Sequence, residues 1–296
     1  MKLVTYEEGT DQKLGAVVGD EVIDLAAASG GTLPATMLGL ITEGEEALQR
    51  AREVAAVAPR GVSLGAVRLL APIPQPPRNV MCVGWNYLEH FEEGQGRRGQ
   101  VDEMPEYPTF FTKLPTTVIG PQEGVRLDAR ISTKLDYEVE LALIIGRSGH
   151  DIPQEQAMEH VFGYTIANDV SVRDVQRRHG QQWFRGKSMD THCPMGPWIV
   201  TADEAPDPHA LRLSCTVNGE MKQDSSTRYM VFQIPRLIQE ISLGTTLVPG
   251  DVVLTGTPPG VGFARTPPEY LQAGDVMELS VEHIGTLTNP VIAYTG

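Results

Sequence analysis

From Leu135 to Ile145 the chain reads LDYEVELALII, and the two-residue period of a β-strand divides this run into two faces. Leu135, Tyr137, Val139, Leu141, Leu143 and Ile145 fall on one of them. Asp136, Glu138 and Glu140 fall on the other, but that face turns apolar at Ala142 and Ile144. A strand with its acidic side in water would stay polar along its length, so the pattern predicts a strand covered on both sides. Carboxylates at the start of such a strand need a cation, because an unpaired buried charge is costly. An edge strand with its acids in solvent is the simpler alternative, acids being mostly exposed.

Elsewhere the same periods lay out short strands with helices between them. KLVTYEE and LGAVVGDEVIDLAA predict strands in a hairpin arrangement, and TEGEEALQRAREVAA predicts a helix. The proline cluster APIPQPPRN closes this stretch, which divides the chain into a small N-terminal α+β domain over residues 1–72 and a larger domain over 73–296. Beyond the cluster, NVMCVGWNY reads as a strand entering a glycine turn and LEHFEEG as a short helix. DIPQEQAMEHV reads as an amphipathic helix with Asp151 at its N-cap. LRLSCTVNGEMKQ alternates and closes on Asn218-Gly219, a strong hairpin signal. QIPRLIQEISLG puts Ile234, Leu237, Ile238 and Ile241 on one helical face and stops at Gly244. VPGDVVLTGTPPGVG and QAGDVMELSVEHIG each read as a turn followed by a strand. The predicted fold class is mainly β with α insertions, a sandwich or distorted barrel.

Composition narrows the chemistry. The 296 residues are 41% hydrophobic and carry a formal net charge of -14. That balance argues against a sequence-independent grip on nucleic acid or on an acidic membrane surface, and leaves room for small anionic substrates held by local cations. MKLVTYEEGTD lacks a long apolar core and no run approaches about 18 apolar residues, so neither a signal peptide nor a membrane span is expected and the cytoplasm is the default location. Cys82, Cys193 and Cys215 are far apart and free of CxxC spacing, as ordinary reduced thiols are. GxSxG, P-loop and post-strand GxGxxG motifs are absent.

Four constellations carry candidate chemistry. Glu138 and Glu140 stand side by side on their strand and Asp169 ends the apolar run GYTIAND, so these carboxylates are candidate ligands of a hard divalent cation, Mg2+ or Mn2+. His90 and Glu93 are three apart on a short helix, the spacing of a base and its orienter, with a solvated surface pair as the alternative. The glycine- and charge-rich GQGRRGQVDE that follows reads as a mobile loop or lid. Lys187, in RGKSMDTHCPMGP, is either a cation facing a cleft or a surface lysine. LTGTPPGVG, from Leu254 to Gly262, can present backbone N–H groups and Thr257 to a carboxylate, or can be only a tight turn.

The order of these pieces adds to them. VGWNYLEHFEE, PTFFTKLPTTVIGP, LDYEVELALIIG, GYTIANDVSVRDVQ, GKSMDTHCPMGPWIVT, VNGE, LVPGDVVLTGTPPGVG and YLQAGDVMELSVEHIGTL together resemble the fumarylacetoacetate hydrolase family, from about Asn79 to the C-terminus. The resemblance implies a mixed β-sandwich roll with a small N-terminal domain, usually a homodimer. It implies Glu138, Glu140 and Asp169 as ligands of Mg2+ or Mn2+, and His90 and Glu93 as a catalytic dyad on a lid helix. It also implies Lys187 as a catalytic cation facing the metal, with Thr257, Gly256, Arg173 and Gln176 on the substrate side.

The activity so implied is hydrolysis of a carbon–carbon bond in acylpyruvate-like 2,4-dioxo acids. A small anionic 2-oxo acid would chelate the metal, water activated by the His/Glu pair would attack the distal carbonyl, and a pyruvate enolate would leave. Oxaloacetate decarboxylation, isomerisation of unsaturated dicarboxylates, a ureidoglycolate lyase-like reaction and cleavage of diketo sugar acids are alternatives on the same site. A non-catalytic metal and organic-acid binding module is a further one. The extended GQGRRGQVDEMPEY, where many relatives are shorter, departs from the family pattern, and Arg97 and Arg98 in it are candidates to reach a closed site.

Overall fold

The computed structural model describes residues 1–58, 60–96, 103–180, 182–205 and 207–295, so Arg97 and Arg98 lie outside the described residues. Its centre is the strand Val139–Ile145, in which every residue is buried. The strand pairs antiparallel with Val161–Asn168 on one side and Val252–Leu254 on the other. Val139, Leu141, Leu143 and Ile145 enter one apolar core, while Ala142 and Ile144 enter another. The two-sided cover expected from the alternation is therefore present, and the edge-strand alternative fails. One detail differs: the run is broken at Tyr137 and Glu138, and Leu135–Asp136 pairs separately with Ser171–Val172.

Around this strand a large sheet continues through Val252–Leu254 to Val80–Gly84 and Thr109–Lys113, and in the other direction through Val161–Asn168 to Cys193–Thr201. The N-terminal strand Lys2–Glu8 joins Cys193–Thr201, with Lys2 opposite Val200, so residues before 72 extend this sheet rather than build their own. A second, five-stranded sheet holds Glu220–Ser226, Arg212–Val217, Val276–Val281, Gly285–Ala293 and Val125–Leu127. Its inward residues Leu213, Cys215, Met277, Leu279 and Leu287 share the first core with the odd-numbered face of Val139–Ile145. This is a mixed, sheet-dominated fold with few helices, and the large sheet ends on Val62–Ser63 and Thr109–Lys113 without closing into a barrel.

Most local signals are met. Asn218 and Gly219, both at positive φ, turn the hairpin between Arg212–Val217 and Glu220–Ser226. The helix Ile234–Ser242 buries Ile234, Leu237 and Ile238. The amphipathic helix expected after Asp151 is instead a 3-10 helix, Gln154–His160, without a side-chain cap. Asp151 turns away at φ 50°, and its Oδ1 accepts from the Gly244 N–H at 2.7 Å, so it ties two loops together rather than starting a helix. Among the described residues no helix is long and apolar enough to cross a membrane.

Candidate active site

Strand register sets the site. Val139 lies opposite Asn168, and Leu254 lies between Ala142 and Cys82, so Glu138, Glu140, Asp169, the turn 255–257 and the segment after Gly84 emerge at one end of the large sheet. There Glu138, Glu140 and Asp169, all buried, each offer an oxygen within 4.8 Å of the others. The Lys187 ammonium donates to Glu138 Oε2 at 2.8 Å and to Asp169 Oδ2 at 2.6 Å. Lys113 donates to Asp169 Oδ1 at 2.7 Å. Three strands separate Lys113 from Asp169 in the sheet order, so the contact records how strongly the sheet coils. Arg173 pairs with Glu138 Oε1 and Asp136 Oδ2, both at 2.7 Å.

Glu140 is held differently. Its Oε2 accepts the Gly256 N–H at 2.6 Å, and no cation of the described residues pairs with it. Burial and the neighbouring Asp169 and Glu138 push its pKa well above the ordinary carboxylate value. Glu138 goes the other way: burial opposes its charge, but Lys187 and Arg173 outweigh burial and hold its pKa down. The same attraction toward Asp169 and Glu138 overcomes burial at Lys187 and raises its pKa, so its ammonium stays charged. Four buried acids, Asp136, Glu138, Glu140 and Asp169, thus face Lys113, Lys187 and Arg173, one positive charge short. An all-oxygen donor set with a carboxylate left over fits a divalent cation such as Mg2+ or Mn2+.

The helix Leu88–Glu93 brings the second element. His90 is 8% exposed and its Nδ1 lies 2.7 Å from Glu93 Oε1. Glu93 Oε2 in turn accepts the Gly260 N–H at 2.8 Å. With the Nδ1 proton on the Glu93 side, Nε2 is the ring nitrogen left for the cavity that His90 lines. Asn86 anchors the segment before the helix: its Nδ2 donates to Phe232 O and Thr255 O, and its Oδ1 accepts from the Phe232 N–H.

A cavity of about 250 Å³ opens over this group, lined by His90, Glu138, Glu140, Lys187, Thr257 and Arg173 together with Trp85, Phe111, Trp183, Gln176, Arg177 and Phe263. Trp85, at φ 54°, meets Trp183 edge-on with centroids 4.7 Å apart, and Phe111 also meets Trp183, with centroids 5.3 Å apart. Of the ten residues singled out in the sequence, seven line this space, while Glu93, Asp169 and Gly256 stand behind it, bound to His90, Lys187 and Glu140. The sequence offers Gly256 and Thr257 either as donors to a substrate carboxylate or as parts of a tight turn. The Gly256 N–H goes to Glu140, and the Thr257 hydroxyl donates to Val139 O at 3.0 Å while accepting from Gln223 Nε2 at 2.8 Å. Gln176 Oε1 accepts from Arg173 at 3.3 Å.

Three participants escaped the sequence reading. Lys113 stands in TFFTK, where a lone lysine in an apolar strand was a signal available but unused. Asn86 and Gly260 gave none, because their partners are far along the chain. Gly260 is fixed by space: at φ 108° an added Cβ would sit 2.1 Å from Lys222 O.

Residues 79–292 match the family model described as fumarylacetoacetate (FAA) hydrolase C-terminal. The chain is 41% identical to the oxaloacetate tautomerase YisK of Bacillus subtilis (strain 168), over 98% of its own length and 100% of that protein. Among solved structures, a fumarylacetoacetate hydrolase (EaFAH) from the psychrophile Exiguobacterium antarcticum superposes with a TM-score of 0.85 at 41% identity, covering 99% of this chain and 100% of the other. The maleylpyruvate hydrolase of Sphingobium sp. SYK-6, in complex with manganese(II) and pyruvate, gives a TM-score of 0.80 at 32% identity over 99% of each chain.

Proposed function

This chain belongs to the fumarylacetoacetate hydrolase family, and from that premise we propose that it is a Mg2+- or Mn2+-dependent enzyme acting on small anionic 2-oxo acids, with the keto–enol tautomerisation of oxaloacetate as its reaction. The observation that carries the reading is the His90–Glu93 pair beside the carboxylate triad, in a chain 41% identical along its length to an oxaloacetate tautomerase. Glu138, Glu140 and Asp169 would hold the cation, which when bound would supply a Lewis acid that acidifies the carbon next to a keto group.

Tautomerisation moves one proton between the enol oxygen and C3. His90, fixed by Glu93 with Nε2 free, takes up and returns that proton. Lys187, charged and buried between Glu138 and Asp169, faces the oxygen on which negative charge grows while the proton is in transit. Arg173 and Gln176, on one helical face, orient the acid, and the loop at Gly256 and Thr257 fixes the floor beneath it.

A second reading, hydrolysis of acylpyruvate-like 2,4-dioxo acids, rests on two observations. One is the likeness to a maleylpyruvate hydrolase that binds manganese and pyruvate. The other is the aromatic wall of Trp85, Phe111 and Trp183, which offers room for an acyl chain. The same dyad would then activate water. Association into a homodimer belongs to the proposal as well, and light scattering reads it directly.

The test follows the decay of enol-oxaloacetate absorbance by the purified protein with Mg2+, with Mn2+ and after EDTA, with acetylpyruvate loss and pyruvate release measured in parallel. Metal-dependent acceleration of the enol decay without pyruvate supports the tautomerase. Loss of acetylpyruvate with slow enol decay replaces it by the hydrolase, and pyruvate from oxaloacetate above the free-metal control replaces it by a decarboxylase.

A further inference from the structure

The cavity holds one guanidinium that the reaction above does not use. The short helix Arg173–Arg178 places Arg177 one turn beyond Arg173, about 6 Å further along the axis and on the same face. Both guanidiniums lie against the ring of Phe263, 4.4 Å from its centroid for Arg173 and 5.1 Å for Arg177. Their surroundings differ. Arg173 is buried and bound to Asp136 and Glu138, yet its Nη2 finds no hydrogen-bond partner among the described residues. Arg177 stands at the solvent-exposed rim, and no carboxylate of the described residues pairs with it.

A buried guanidinium nitrogen without an acceptor is an unmet demand for an oxygen, and an unpaired second guanidinium beside it makes the demand one for an anion. The Phe263 ring lies against both guanidiniums and carries no oxygen. The 2-oxo acid end of the substrate is accounted for by the carboxylate triad, so this anion belongs to the other end of the molecule.

We infer that Arg177, together with the free Nη2 of Arg173, forms a subsite for a second carboxylate, so that the enzyme selects 2-oxo diacids over 2-oxo monoacids. The inference rests on the proposed 2-oxo acid chemistry and names the feature that chooses among such acids. Arg177 is the specificity residue of the pair, and Arg173 positions it through their common ring. Because Arg177 is exposed and unpaired, its replacement leaves the fold intact, whereas replacing Arg173 would strand Asp136 and Glu138.

The test is calorimetric binding to the Mg2+-loaded full chain of two acids that cannot react. Oxalate carries the chelating half alone, and 3,3-difluoro-oxaloacetate carries both halves but cannot enolise. Arg177→Gln is expected to weaken the fluorinated diacid roughly 10- to 100-fold, the range of a hydrogen bond to a charged group, with oxalate unaffected and Arg177→Lys falling between. In turnover the same loss appears in the KM for oxaloacetate and not in kcat. Equal weakening of both acids, no weakening of either, or a wild type that binds neither overturns the inference. If the binding difference holds while oxaloacetate is not turned over, the tautomerase reading fails and the carboxylate subsite stands.

Discussion

The strand Val139–Ile145 and the helix Leu88–Glu93 both serve one cavity, the first with a carboxylate and the second with an imidazole, but they are held in opposite ways. The strand is laddered on both sides, buried throughout, and two of the three acids at its cavity end, Glu138 and Asp169, are answered by buried lysines. The helix has six residues and no side-chain N-cap, leaves Leu88 half exposed, and is tied down by Asn86 before it and by the Gly260 N–H on Glu93. A helix that short has little stability of its own. The difference separates two tasks. On the proposed mechanism, gathering oxygens around a cation falls to the rigid sheet, and moving a proton falls to an element that few contacts constrain.

Four experiments break or sharpen that contrast. The largest effect is expected from Asp169→Ala, which leaves Lys113 and Lys187 buried without one of their partners. Unfolding by denaturant should show a loss of about 3–5 kcal/mol, and a loss below about 1 kcal/mol would show that the core is less rigid than argued. Next, His90→Ala should lower turnover by about 10²–10⁴-fold while the denaturation midpoint barely moves. A large drop in stability would mean that the helix, too, is a structural element.

Acid supplies a control away from both elements. His192 is buried, its Nε2 donates to Arg126 O, and its Nδ1 has no partner, so burial lowers its pKa to about 4 from 6.5. Between those values the unfolded chain binds the extra proton. Stability is therefore full above pH 6.5 and falls as the pH drops toward 4, by about 3 kcal/mol. His192→Gln should flatten that slope, and a slope unchanged in the variant would assign it elsewhere. The smallest effect is that of the metal: at about 100 times its Kd, Mg2+ or Mn2+ should stabilise the wild type by about 2.7 kcal/mol in thermal unfolding. Glu140→Gln should abolish that gain without destabilising the metal-free protein, since among the four buried site acids it removes the one that no cation of the described residues pairs with. A variant as responsive as the wild type would remove Glu140 from the ligand set.

The strand core was legible because its signals are local. The switch from Glu138 and Glu140 to Ala142 and Ile144 on one face announced burial on both sides, and the spacing of His90 and Glu93 announced their contact. What stayed hidden depends on partners distant in sequence. Lys113 reaches Asp169 only through the coil of the sheet, and Arg177 acquires meaning only from Phe263. The N–H groups of the loop 254–262 were read as open to a ligand because nothing in LTGTPPGVG shows that Glu140 and Glu93 lie opposite Gly256 and Gly260. Asp151 looked like a helix cap because the sequence signature of a cap does not reveal that Gly244 competes for the same oxygen.

That loop has one more consequence. Its Gly256 N–H sits on Glu140 of the triad and its Gly260 N–H on Glu93, the partner of His90, so the stretch between them works as a gauge block separating the two carboxylates. One residue more or fewer would shift one end by up to about 3.5 Å, more than a hydrogen bond tolerates. The length of the loop, independently of its side chains, sets how far apart it holds the carboxylates of Glu140 and Glu93.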